Sequence, residues 1–120
     1  MSPGSRLVDS DSGRVVLARL RLAVNPWTRL RGMLGSPPPQ PDQGLWLEPC
    51  NSVHMVGMTF PLDVVFVDRA GTVVRLLPHL RPWHFGPIVR GARAAIEMPD
   101  GAIRRLDIRL GHRLHYEPVV

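Results

Sequence analysis

The sequence predicts a mainly β domain, a compact sandwich or partly closed barrel of about seven strands with one or two short helices. Three observations predict it. RVVLARLRLAV, residues 14–24, alternates apolar with charged positions at the period of a strand with one wet face. LDVVFVDRAGTVVRLL holds two apolar runs joined by Asp68-Arg69-Ala70-Gly71, a hairpin in which Gly71 supplies positive φ. Along the whole chain, strand-like runs far outnumber helical ones.

Taken in order, residues 1–12 read as a loose N-terminal segment ahead of the first strand. That strand stops at Asn25, where Asn25-Pro26 has the form of an N-cap followed by proline at the first helical position. Trp27, Leu30 and Leu34 then recur at helical spacing and Gly35 can terminate, so a short amphipathic helix is expected over 26–34. Prolines at 37, 38, 39 and 41 remove backbone donors and disfavour helix before each, which makes residues 36–43 a stiff, exposed loop. GLWLEP resumes as a strand and the hairpin follows. PHLRPWHFGP, residues 78–87, is an irregular loop rich in prolines, histidines and aromatics. ARAAIEMP gives another strand, DGAIRRLDI a turn or short helix, and RLGHRLHYEP a last strand entered through Gly111. At 120 residues, one domain is expected, with enough apolar surface to fold without staples.

Net charge is +5, and all fifteen basic residues other than histidine are arginines. Their distribution argues against nucleic acid as a partner: Arg19 and Arg21 alternate with apolar neighbours as solvated strand positions do, and no basic run is interleaved with aromatics. No apolar run approaches the roughly 20 residues of a membrane span, and Arg19 and Arg21 interrupt the first hydrophobic stretch, so neither a membrane anchor nor a secretory signal is read. A cytoplasmic location is expected. The single cysteine, Cys50, has no internal disulfide partner.

The succession WTRLRGMLG, GLWLEP, HMVGMTFPLDVVFVDRAGTVV and IEMPDGAIRRLDIRLGHRL resembles a bacterial and archaeal family known as domain of unknown function 192. The likeness covers about residues 25–115. Its most specific parts are GMTFPLDVVFVD and the later Glu97-Met98-Pro99-Asp100-Gly101. The resemblance implies a compact, mostly β fold and no established activity. His112 stands where the family is expected to carry an acidic residue after glycine.

CNSVHMVGM, residues 50–58, offers a thiolate, an imidazole and two thioethers, a set that would suit a soft metal if Cys50 and His54 met. On an extended chain they stand about 13 Å apart, so only a tight turn between Asn51 and Val53 brings them together. The alternative is a buried thiol and a hydrogen-bonded histidine with methionines filling gaps, and no metal or other cofactor is favoured. Asp63 shares a strand face with Val65 and Val67, so its carboxylate needs a partner; Arg31 or a histidine is expected. Trp83 and Phe85 beside His84 can clamp a planar ligand or cap the end of the sheet. No nucleophile elbow or phosphate loop is present.

Together these features predict a non-enzymatic binding module for a small ligand or protein partner. The expected site lies among His54, Met58, Asp63, His79, Trp83 and His84, while Asn25, Trp27, Arg31, Gly71, Glu97, Gly101 and Gly111 are expected to serve the fold. A metal-assisted hydrolase built on Cys50 and His54 is the competing reading, and a protein-interaction domain with exposed arginines and the proline loop is a third.

Overall fold

The computed structural model describes residues 4 to 119. Seven strands and two short helices follow one another as β1 (Ser5–Asp9), β2 (Val15–Ala23), α1 (Pro26–Arg31), β3 (Gln43–Leu47), β4 (Leu62–Val67), β5 (Val73–Leu80), β6 (Ala94–Pro99), α2 (Ala102–Arg105) and β7 (Leu114–Pro118). The mainly β class is the one the sequence predicts. All seven strands form one sheet, in the order β5-β4-β6-β3-β2-β1-β7, with β2 and β3 parallel and every other pair antiparallel.

The sheet curls without closing into a barrel. Leu7, Val73 and Leu114, from both edges of the sheet and the strand beside one of them, share a single apolar cluster with Leu17, Trp46, Val65 and Ile96. The outer edges approach each other at one end only, through the Thr72–Arg113 bridge and the bond from the Leu114 amide to the Gly71 carbonyl at 2.8 Å. Gly71, at φ +81°, passes so close to the Leu114 carbonyl that a Cβ there would collide with backbone. Positive φ for the hairpin and the approach of the two edges therefore demand the same glycine.

The opposite face carries a second cluster, with Leu45, Leu47, Val64 and Phe66 beneath Met33, Val53, Met55 and Met58. Because both faces are covered, β4 is buried at every position, and it reads as a continuous apolar run broken only by Asp63. Two layers follow from one sheet: α2 closes the first face, while Met33, just after α1, and the 50–60 segment close the second.

Several expectations are corrected. Ser5–Asp9, expected within a loose segment, is β1 and pairs with both β2 and β7, the latter over five consecutive positions. The hairpin strand extends through Pro78 and His79 to Leu80, residues expected in the loop. Asn25 does cap α1, its Oδ1 accepting the Thr28 amide at 2.9 Å, but the helix stops at Arg31 because Gly32, not Gly35, leaves helical geometry at φ +53° and ψ −127°. Its apolar stripe faces outward: Trp27 is 80% exposed and Leu30 66%.

Candidate functional site

Adjacent strands put Arg21, Leu45, Glu97 and Val64 in one lateral row, so all four point to the face beneath α1. Glu97 is the exception in that row. Its side chain is 5% exposed and lies under the C-terminal turn of α1, where a Cβ on Gly32 would stand 3.0 Å from Oε1. Among the described residues neither a hydrogen bond nor an ion pair acts on this carboxyl. Burial pushes its pKa up to about 7, and the charge of Arg21, two strands or roughly 9–10 Å across the sheet, pulls it only partly back.

Above Glu97 a cleft of about 60 Å³ opens between the end of α1 and the 50–58 segment. Cys50, His54, Met58, Arg29 and Gly32 line it with Glu97. Space of that size accepts a few non-hydrogen atoms. The 50–58 segment is held in place by the 83–86 loop: the Met55 amide donates to the His84 carbonyl at 2.8 Å, the Trp83 amide to the Met55 carbonyl at 2.7 Å, and the Gly86 amide to the Val53 carbonyl at 2.9 Å. The His54 ring stacks obliquely on Phe85, with centroids 6.3 Å apart.

Each polar group in the cleft has a definite state. The Cys50 thiol donates to the Ser52 carbonyl at 3.1 Å, and burial, reinforced by the charge of Glu97, raises its pKa. A raised thiol is a poor nucleophile at neutral pH. Arg29 gives one N–H to the Pro49 carbonyl at 3.0 Å, while its Nε–H is buried with no partner among the described residues. Among the described residues no three histidine, cysteine, aspartate or glutamate side chains gather as a metal site.

The structure brings His54, Met58 and Cys50 together and separates them from the other expected site residues. Asp63 points to the opposite face. It is 1% exposed, and it pairs with neither Arg31 nor a histidine ring: Oδ1 accepts the His79 amide and Oδ2 the Ile103 amide, both at 2.8 Å. His79 follows it there, with Nδ1 bonded to Asp100 at 2.8 Å. Trp83 and His84 belong to the loop that braces the 50–58 segment and are exposed outside the cleft. Arg31 lines the cleft, bonded to the Leu34 carbonyl.

Sequence reasoning assigned Glu97 to the fold, although a carboxylate between Ile96 and Met98 carries the same signal as Asp63 between Leu62 and Val64. A larger open groove of about 570 Å³ lies beyond Met33, between β2 and the proline loop, but its lining contains no buried titratable group.

With this arrangement in view, the family model of DUF192, described as "Uncharacterized ACR", matches residues 7–116. The chain belongs to DUF192. Two archaeal relatives bear the name UPF0127 protein. That of Thermococcus sibiricus is 31% identical over 117 residues, 92% of this chain and 74% of the relative. That of Pyrococcus furiosus is 35% identical over 69 residues, 58% of this chain and only 59% of the relative. A protein of unknown function from Novosphingobium aromaticivorans shares the fold at TM-score 0.79 and 19% identity, covering 93% of this chain and 83% of its own. A Sinorhizobium meliloti structure described as a "putative transcription regulator" is similar at TM-score 0.77 and 27% identity, over 97% and 94% of the two chains.

In this DUF192 chain Gly32 is the residue that admits Glu97 to the cleft. Gly32→Ala is expected to cost about 1–2 kcal/mol, from the positive φ and the crowding of Oε1 together. Urea unfolding measures it. Gly35→Ala, with positive φ but open space around it, is the control that isolates the contact.

Proposed function

We propose that this DUF192 chain is a non-enzymatic binding domain whose site is the cleft over Glu97. One observation carries the reading: Glu97, a residue only 5% exposed, turns toward a cleft in which no donor among the described residues bonds its carboxyl group. Burying such a group unpaired costs several kcal/mol, and folds retain that cost where a ligand supplies the partner. The binding class rests on the rest of the lining. Cys50 is held as a thiol that donates to the Ser52 carbonyl, and a hydrolytic metal has no ligand cluster among the described residues.

Amide NMR spectra recorded against a library of small neutral and charged fragments test this. Shifts should concentrate at Gly32, Cys50 and His54 and weaken in Glu97→Met. Shifts confined to Arg21 and Gln43 in the larger groove, or no shifts with any fragment, would overturn the reading.

A further inference from the structure

The character of the cleft narrows its ligand. A carboxylate alone would suit a cation, but Arg29 and Arg31 line the same space and Arg21 acts on Glu97 from the sheet, so the surroundings of Glu97 are net cationic. A cationic ligand would enter against the guanidinium groups of Arg29 and Arg31. An anion fares no better, because it would press against Glu97. A neutral group escapes both objections, provided that it brings a donor for Glu97 and an acceptor for Arg29, whose guanidinium makes one hydrogen bond among the described residues. The remaining walls, Leu47, Val53 and Met58 with Leu30 and Leu34 at the mouth, are aliphatic.

We infer that the cleft binds a primary carboxamide on a short aliphatic stem, its N–H donating to the Glu97 carboxylate and its carbonyl oxygen accepting from Arg29. This rests on the binding site proposed above and names its ligand class. Three non-hydrogen atoms of an amide suit a cleft of about 60 Å³, and the stem lies along the aliphatic walls. Charge-assisted bonds at both ends, N–H to carboxylate and guanidinium to carbonyl, make this the group that leaves fewest cleft polar atoms unmet.

The test is a series of short-chain ligands that differ in head-group charge, butyramide, butyrate and butylammonium, titrated into the protein and followed at the Gly32, Cys50 and His54 amides. Butyramide should bind at least about tenfold tighter than either ion, the equivalent of one charge-assisted hydrogen bond. Glu97→Met should weaken it about tenfold or more, whereas Glu97→Gln, which keeps an acceptor oxygen, should hold it within about threefold. N-acetyl-glutamine methylamide, run beside butyramide, distinguishes a glutamine side chain on a polypeptide from a free amide, according to which binds tighter. Butylammonium or butyrate binding as well as the amide would overturn the inference, as would an unchanged affinity in Glu97→Met. If none of the series binds while other library fragments still move the cleft amides, the ligand class falls and the binding site stands.

Discussion

Asp63→Ala is expected to destabilise the protein by about 3–5 kcal/mol, because it orphans two buried backbone donors at once. The carboxylate is 1% exposed, and each oxygen takes one amide, from His79 at the end of β5 and from Ile103 in the first turn of α2. Neither amide has an obvious substitute. Gly101, at the N-terminal end of α2, has no side chain with which to cap it, so Asp63, a strand residue forty positions before Ile103, performs the capping. His79 sits at φ +52° with its ring on Asp100, which holds its amide toward Asp63. Each abandoned donor accounts for about 1–3 kcal/mol, and the vacated space adds to it. Asp63→Asn keeps one acceptor but turns an NH₂ toward the other amide, so a loss of about 2–3 kcal/mol is expected. The denaturation midpoint should fall with an unchanged slope, and hydrogen exchange should accelerate at residues 79 and 103 first. A loss below about 1 kcal/mol for Asp63→Ala would show that water reaches both amides, and the capping role would be wrong.

What the sequence made legible is what local chemistry decides. The β4–β5 turn is one case: Asp68 Oδ1 accepts the Ala70 and Thr72 amides at 2.9 Å, and Gly71 takes the positive φ, all within five residues. The Asn25 cap is another. β1 was illegible because SRLVD is short and lacks alternation; its place is fixed by partners such as Pro118, far away in the chain. The end of α1 turned on a choice between Gly32 and Gly35, and the Glu97 side chain beneath Gly32 marks the close approach there. That contact joins residues sixty-five positions apart. The helical spacing of Trp27, Leu30 and Leu34 was legible, but the helix it predicted over 26–34 is six residues long, and held by its cap and by Arg29 on Pro49 it leaves most of that stripe in solvent. Asp63 and Glu97 gave the same signal, a carboxylate inside an apolar strand. Which of them would be satisfied depended on which amides the fold carried past it.

Burial of Glu97 gives the protein a pH-dependent stability. Glu97 titrates at about 7 in the folded state against 4.5 in the ordinary case, because burial opposes its charge. Between those values the folded protein holds a proton that the unfolded chain has released, so stability falls as pH rises. The contribution is fully present below about pH 4.5 and lost as pH passes through about 7, and its size is about 3 kcal/mol. Glu97→Gln removes the titration while keeping shape, so the difference in unfolding free energy between variant and wild type should grow by about 3 kcal/mol in favour of the variant from about pH 4.5 to about pH 8. Arg21 on β2, and Arg29 and Arg31 on α1, keep their charge across that range, Cys50, raised by burial, stays a thiol through it, and His54 on the facing segment is common to both proteins. Parallel curves would mean that the carboxyl already has a partner and that the cleft is not a binding site for a donor. A ligand that donates an N–H to the ionised carboxylate should restore what ionisation removes. Butyramide is therefore expected to raise the melting temperature more at about pH 8 than at about pH 5 in wild type, and equally at both in Glu97→Gln.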